Sequence, residues 1–205
     1  MPQPLSRVLP NAGVVFGNAG DRPLTRHPEL AVLAIEAIAS WSNVEGFMLR
    51  LFMQLLGGNE SLAASVFLAL ENQSSKTSAI NAAAATTLSD RPAELAVLRA
   101  ILAIAKSNEK DRNKLAHWTW GDSPEIPDGL LLVDPRASLG QLDRSEVYVY
   151  RAADFQRIIG ANDRLCGYGL SFNFILRGHA ANRDDGLLVE LEAEPEIRER
   201  LNRQG

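Results

Sequence analysis

The feature that most constrains this chain begins at Pro28. Ala34, Ile38, Trp41, Met48, Phe52 and Leu55 recur at spacings of three and four until Gly57-Gly58, the pattern of one long amphipathic helix closed by glycine. A second pattern starts where Ser89 or Asp90 can cap a helix, with Pro92 at a first-turn position and Glu94 nearby. Its stripe holds Leu98, Ile101, Leu102 and Ala105, and the helix is expected to run to about His117.

Shorter elements fill the rest. Asn59 or Ser61 can cap a helix through Leu70, and Ser74 to Leu88 supports an alanine-rich one. Trp118 to Trp120, Gly129 to Val133 and Glu146 to Tyr150 are aromatic and β-branched stretches parted by Pro/Gly/Asp loops, which predicts a small antiparallel group of strands. A further helix starts near Ala152, carries Phe155, Ile158, Ile159, Leu165, Leu170, Phe174 and Leu176, and stops by Gly178, although Gly160, Gly167 and Gly169 weaken its propensity. The expected fold is mainly α, a four- to five-helix bundle with a small antiparallel β appendage. Its organisation is an amino-terminal arm over residues 1–28, a helical domain over 29–178 with the appendage at 118–150, and a tail over 179–205. In the arm, prolines and glycines forbid a long helix. Gly13, Gly17 and Gly20 do not make a phosphate loop, because no Gly-Lys-Ser/Thr follows them. In the tail, Leu187 to Leu191 form an apolar run, and Glu192 to Arg203 read as a solvated helix or frayed end.

Composition removes several function classes. The 205 residues favour one domain with extensions, and 46% hydrophobic against 22% charged residues is ordinary for a globular protein. A formal charge of -4 argues against a broadly basic surface for duplex DNA, so any nucleic-acid contact is expected to be local. The single cysteine, Cys166, excludes an intrachain disulfide framework and suits a reducing, cytoplasmic setting. No run of about 18 uncharged apolar residues is found, nor a basic-then-apolar amino terminus, so neither membrane insertion nor secretion is expected. His27, His117 and His179 lie far apart and form no zinc-ligand pattern, so no metal or other cofactor is expected.

The chemically pointed segment is Asp111-Arg112-Asn113-Lys114-Leu115-Ala116-His117. On the helical wheel Arg112 falls within about 20° of Ala105, inside the apolar stripe, so an arginine is aimed at the interior or at an interface. Glu45 sits inside the stripe of the first long helix in the same way. Buried charges are costly unless paired, so Glu45 is expected to meet Arg112 or His117, unless both snorkel to the bundle edge.

Arg112, the polar Asn113 after it, Leu115-Ala116 and His117 resemble the Arg-x4–6-His motif of the HEPN superfamily in residues, and 29–178 resembles it in architecture. HEPN proteins are helical bundles carrying this motif near the end of a late helix. The resemblance implies metal-independent endoribonuclease activity, or descent from it, with two chains pairing so that the two motifs share a cleft. RNA supplies its own 2′-hydroxyl nucleophile, so a site needs a general acid or base near neutral pH, as His117 can be, and a cation for the phosphorane, as Arg112 can be. Asn113 can bind phosphate or orient these side chains, Lys114 adds local positive charge, and Glu45 supports the set. The implied partners are single-stranded or looped RNA, a second copy of the chain, and an antitoxin or other partner protein if the chain is a toxin or defence effector. The alternatives are a non-catalytic HEPN-like module binding RNA, a nucleotide or a protein, and a ligand-free scaffold. The segment also has a plain explanation, a cationic last turn facing the negative end of the helix dipole. Trp118, Trp120, Tyr148 and Tyr150 can stack bases, although sheet core is their expected role.

Overall fold

A computed structural model describes residues 1–16, 22–137, 142–178 and 186–203. Gly17, Gly20, His179 and the start of the tail near Asn182 lie outside the described residues. The chain is mainly helical with a small antiparallel sheet, and it divides into two compact units. Unit one comprises Met1–Trp41 and Asn108–Ala161, and unit two Ser42–Ser107 and Asn162–Gly205. Three long helices have residues in both: α3 (Pro28–Leu56), α6 (Pro92–His117) and α7 (Ala152–Leu176).

The long helices begin and end where local chemistry dictates. Pro28 and Pro92 occupy first helical positions, where the missing N–H costs nothing. Gly57 and Gly58 after α3, with φ of 62° and 68°, and Gly178 after α7, with φ of 62°, adopt the left-handed conformation that side chains resist. The glycines inside α7 do not break it, because burial of Phe155, Leu165, Phe172 and Ile175 outweighs propensity.

Unit one is built on a five-stranded sheet in the order β1-β5-β4-β3-β2, from β1 (Gln3–Pro4), β2 (Val15–Phe16), β3 (Thr119–Asp122), β4 (Leu130–Val133) and β5 (Val147–Tyr150). All neighbouring pairs are antiparallel. All four residues of β4 are buried because both faces of the sheet are covered. Leu130 and Leu132 pack with Leu30, Ala34 and Ala37 of α3, Leu115 of α6 and Phe155 and Ile158 of α7. Leu131 and Val133 point the other way and pack with Leu5 and Ala12. Residues 1–16, expected as an arm, thus provide both edge strands and a second-face cover. Gly121 makes one edge possible, since a Cβ there would meet Phe16 Cδ1 at 2.6 Å. Short helices α1 (Leu5–Val8) and α2 (Pro23–Arg26) complete this segment.

Unit two holds α4 (Glu60–Leu68), α5 (Gln73–Thr87), α8 (Gly186–Ala193), α9 (Pro195–Asn202) and its parts of the long helices. Asn59 and Asn72 cap α4 and α5, accepting hydrogen bonds from the Leu62 and Ser75 amides at 3.0 and 2.8 Å. Phe52 and Phe67 pack with ring centroids 5.4 Å apart, and Thr87 Oγ1 donates to the Leu55 carbonyl at 2.8 Å. The charged carboxyl-terminal stretch, expected as a solvated helix or frayed end, is held as α9 by Ile197, which is fully buried.

By length and composition alone α3 is apolar enough to cross a membrane, although Glu29, Glu36, Glu45 and Arg50 leave it no run of about 18 uncharged apolar residues. Its apolar stripe is core: Ala34 and Ala37 are buried in unit one, and Phe47, Met48, Leu51 and Phe52 in unit two. Glu45, expected to point inward, is 44% exposed and pairs with Lys76 at 3.5 Å within unit two. The flexible carboxylate leaves the stripe for water and for the nearest cation, as the snorkelling alternative anticipates.

Candidate functional site

The segment singled out in sequence forms the last two turns of α6. Leu115 is buried in the core of unit one and fixes how the turns are rotated. Asp111 accepts a hydrogen bond from Arg157 Nη2 at 3.1 Å, tying the end of α6 to the first turns of α7. The last carbonyls are satisfied locally: Lys114 O accepts from the Trp118 amide at 2.9 Å, and Leu115 O from Trp120 Nε1 at 3.2 Å.

From Leu115, Arg112 lies about 60° round the helix and His117 about 160°. Arg112 is therefore partly enclosed, whereas His117 is exposed on the outer side. Arg112 Nη1 donates to Asn113 Oδ1 at 3.1 Å, and Asn113 Nδ2 to Glu109 Oε1 at 3.4 Å. Arg112 Nε is buried and has no hydrogen-bond partner. Among the described residues the His117 imidazole makes no hydrogen bond or ion pair. Arg112 and His117 leave the same helix about 140° apart, so the backbone does not aim them at one point. Glu45 belongs to unit two and the other four candidates to unit one.

Lys114 takes a position that sequence did not reveal. Its Nζ lies 5.1 Å from the Trp118 ring centroid and 5.4 Å from that of Tyr148, and the two rings are 5.9 Å apart. The ammonium is thereby held over two aromatic faces, with no carboxylate neutralising it among the described residues. Trp118, Trp120 and Tyr148 are half-buried against the core, while Tyr150 is fully buried and its hydroxyl resists ionisation for that reason.

Trp118 borders two cavities in unit one. One, of about 460 Å³, also has Asp134, Arg136, Glu146 and Tyr148 in its wall. There Asp134 accepts two side-chain hydrogen bonds from Arg136, at 3.1 and 2.8 Å, which hold its carboxyl down at about 2. The other, of about 470 Å³, is mainly apolar and is walled by Arg22, Pro23, Leu24, Trp118 and Trp120 among others.

A second polar cluster, invisible in sequence, lies at the far end of β3. Asp122 is buried and accepts from Arg26 Nε and Nη2, with His27 Nε2 at 3.6 Å. The hydrogen bonds from Arg26 hold the Asp122 carboxyl below its usual range. Among the described residues, no group of three His, Cys, Asp or Glu side chains is placed to hold a metal ion. Comparison of the chain with known protein families, with characterised proteins and with solved structures returns no match.

Proposed function

We propose that this chain is a metal-independent endoribonuclease of HEPN type, a helical bundle acting on single-stranded or looped RNA in the cytoplasm. His117 serves as general acid or base, Arg112 stabilises the charge that develops on the phosphate, and Asn113 holds Arg112 in place. The observation that carries the proposal is the disposition at the end of α6. An exposed, unengaged imidazole follows an arginine whose Nε is buried without a partner, a donor left over by the fold. Lys114, held over two rings, adds positive charge that the chain lacks overall.

The 140° between Arg112 and His117 is what a composite site asks for. In a homodimer with facing motifs, Arg112 of one copy and His117 of the other would flank a single phosphate. A toxin or defence role, restrained by a partner protein, is compatible with this arrangement.

RNA cleavage in EDTA is the direct test. Wild type is expected to cut, and Arg112→Ala and His117→Ala each to lose about 100-fold or more. Equal cutting by the alanine variants removes the assignment. Mixing the two variants extends the test, because a composite site regains part of its activity in the mixed dimer.

One observation favours a second reading, a non-catalytic RNA-binding module. No described residue orients the His117 ring, as a general base requires. RNA binding without any cleavage would select it.

A further inference from the structure

The cavity between α2 and β3 has neither Arg112 nor His117 in its wall, and its Trp118 is the residue after His117 in the chain. We propose that it is the pocket for one unpaired nucleobase of an RNA strand whose backbone passes His117; the proposal rests on the RNA reading given above.

Shape comes first. At about 470 Å³ the cavity falls in the size range of small-ligand sites and exceeds what a single base needs. Two indoles contribute to its wall, and both are held stiffly. Trp120 donates from Nε1 to the Leu115 carbonyl and stacks on Phe155 at 6.3 Å. Trp118 is braced by Lys114 and Tyr148. Flat aromatic faces fixed in advance are what base stacking uses, and Pro23 and Leu24 complete an apolar slot.

Charge selects the same cavity over its neighbour. Arg22 is exposed at the rim and makes no ion pair among the described residues, whereas Arg26, one turn on, is engaged by Asp122. Arg22 is therefore available to a phosphate oxygen. In the other cavity that Trp118 borders, Arg136 is already bound to Asp134 and Glu146 adds a further carboxylate, so no guanidinium there is left over for a phosphate. Trp118 directly follows His117 in the chain, and this is the link by which the proposal places the adjoining phosphodiester near the exposed imidazole. Stacking area makes a purine the better occupant.

The test uses the full-length chain carrying His117→Ala, so that RNA survives, and measures binding of A8 and U8 oligonucleotides by anisotropy and tryptophan quenching. A8 is expected to bind several-fold more tightly than U8 and to quench. Arg22→Gln, an exposed change that leaves the fold intact, is expected to weaken binding about tenfold and to lower the salt slope by about one. Trp118→Leu is expected to reduce the quenching to the share of Trp120 and to weaken binding about tenfold to a hundredfold. If both variants bind like the parent, the pocket is wrong while the RNA reading stands. If wild type neither binds nor cuts either RNA, the RNA reading fails and the pocket with it.

Discussion

Arg26 and Asp122, ninety-six residues apart in sequence, meet edge to edge, with Nε to Oδ2 and Nη2 to Oδ1 both at 2.6 Å. This forked contact clasps α2 to the end of β3. Because its partner lowers the Asp122 pKa in the folded chain, the stabilisation is complete above the ordinary carboxylate value of about 4 and is lost as pH falls through the lower folded value. Asp122→Asn is expected to cost about 2 kcal/mol at pH 7. The gap from wild type should be smaller at about pH 3 than at pH 7, because protonation of the carboxyl, first in the unfolded chain, removes the advantage. Urea unfolding at both pH values checks this, and a gap independent of pH would point to packing rather than charge.

Gly169 and Gly167 should respond to alanine with opposite signs. A Cβ at Gly169 would meet Phe47 Cδ2 at 2.4 Å in a buried part of unit two, while one at Gly167 meets nothing within 4 Å. Gly169→Ala is expected to destabilise by about 1–3 kcal/mol through overpacking. Gly167→Ala should stabilise by about 0.5–1 kcal/mol through helix propensity. Thermal melts of the two variants decide the matter, and two shifts of the same sign would contradict the packing at Phe47.

Docking of α9 depends on one apolar side chain rather than on its charges. Ile197→Ala, at a fully buried position, should cost about 2–5 kcal/mol. The neighbouring Arg164–Glu196 contact, at 2.9 Å and well exposed, should matter little, so Glu196→Gln is expected to change stability by less than about 1 kcal/mol. Protease sensitivity of the carboxyl terminus, read beside chemical unfolding, separates the two.

Lys114 should report on Trp118. Lys114→Gln removes the cation from two rings and is expected to cost about 1 kcal/mol and to shift tryptophan emission, whereas Lys114→Arg should retain both properties. Fluorescence spectra of the folded variants provide the measurement. An unchanged spectrum for Lys114→Gln would mean that the ammonium does not rest on the indole.

What was legible in sequence follows from how local each signal is. The long helices could be read because apolar residues repeat every three or four positions between Pro28 and Gly57, and because Pro92 marks the start of α6. β3, β4 and β5 showed themselves as aromatic and branched runs. β1 and β2 did not, since a two-residue strand has no alternation to detect and is defined only by its partner. The site divides the same way. That Arg112 to His117 closes a helix was readable. That Lys114 rests on Tyr148, that Arg26 holds Asp122, and that Glu45 turns to Lys76 all depend on residues distant in the chain. Gly169 looked like a flaw in a helix, and only the ring of Phe47 beside it explains its size.

The sheet edges carry a consequence for how the molecule is made. Gln3 pairs with Val149 and Val15 with Asp122, so both edge strands leave the ribosome well before the strands they pair with. At ordinary translation rates that interval is on the order of ten seconds, during which Leu5 and its neighbours have neither strand nor core to join. Closure of the sheet is thus a late event in biogenesis, since β5 is the last of its strands to be made.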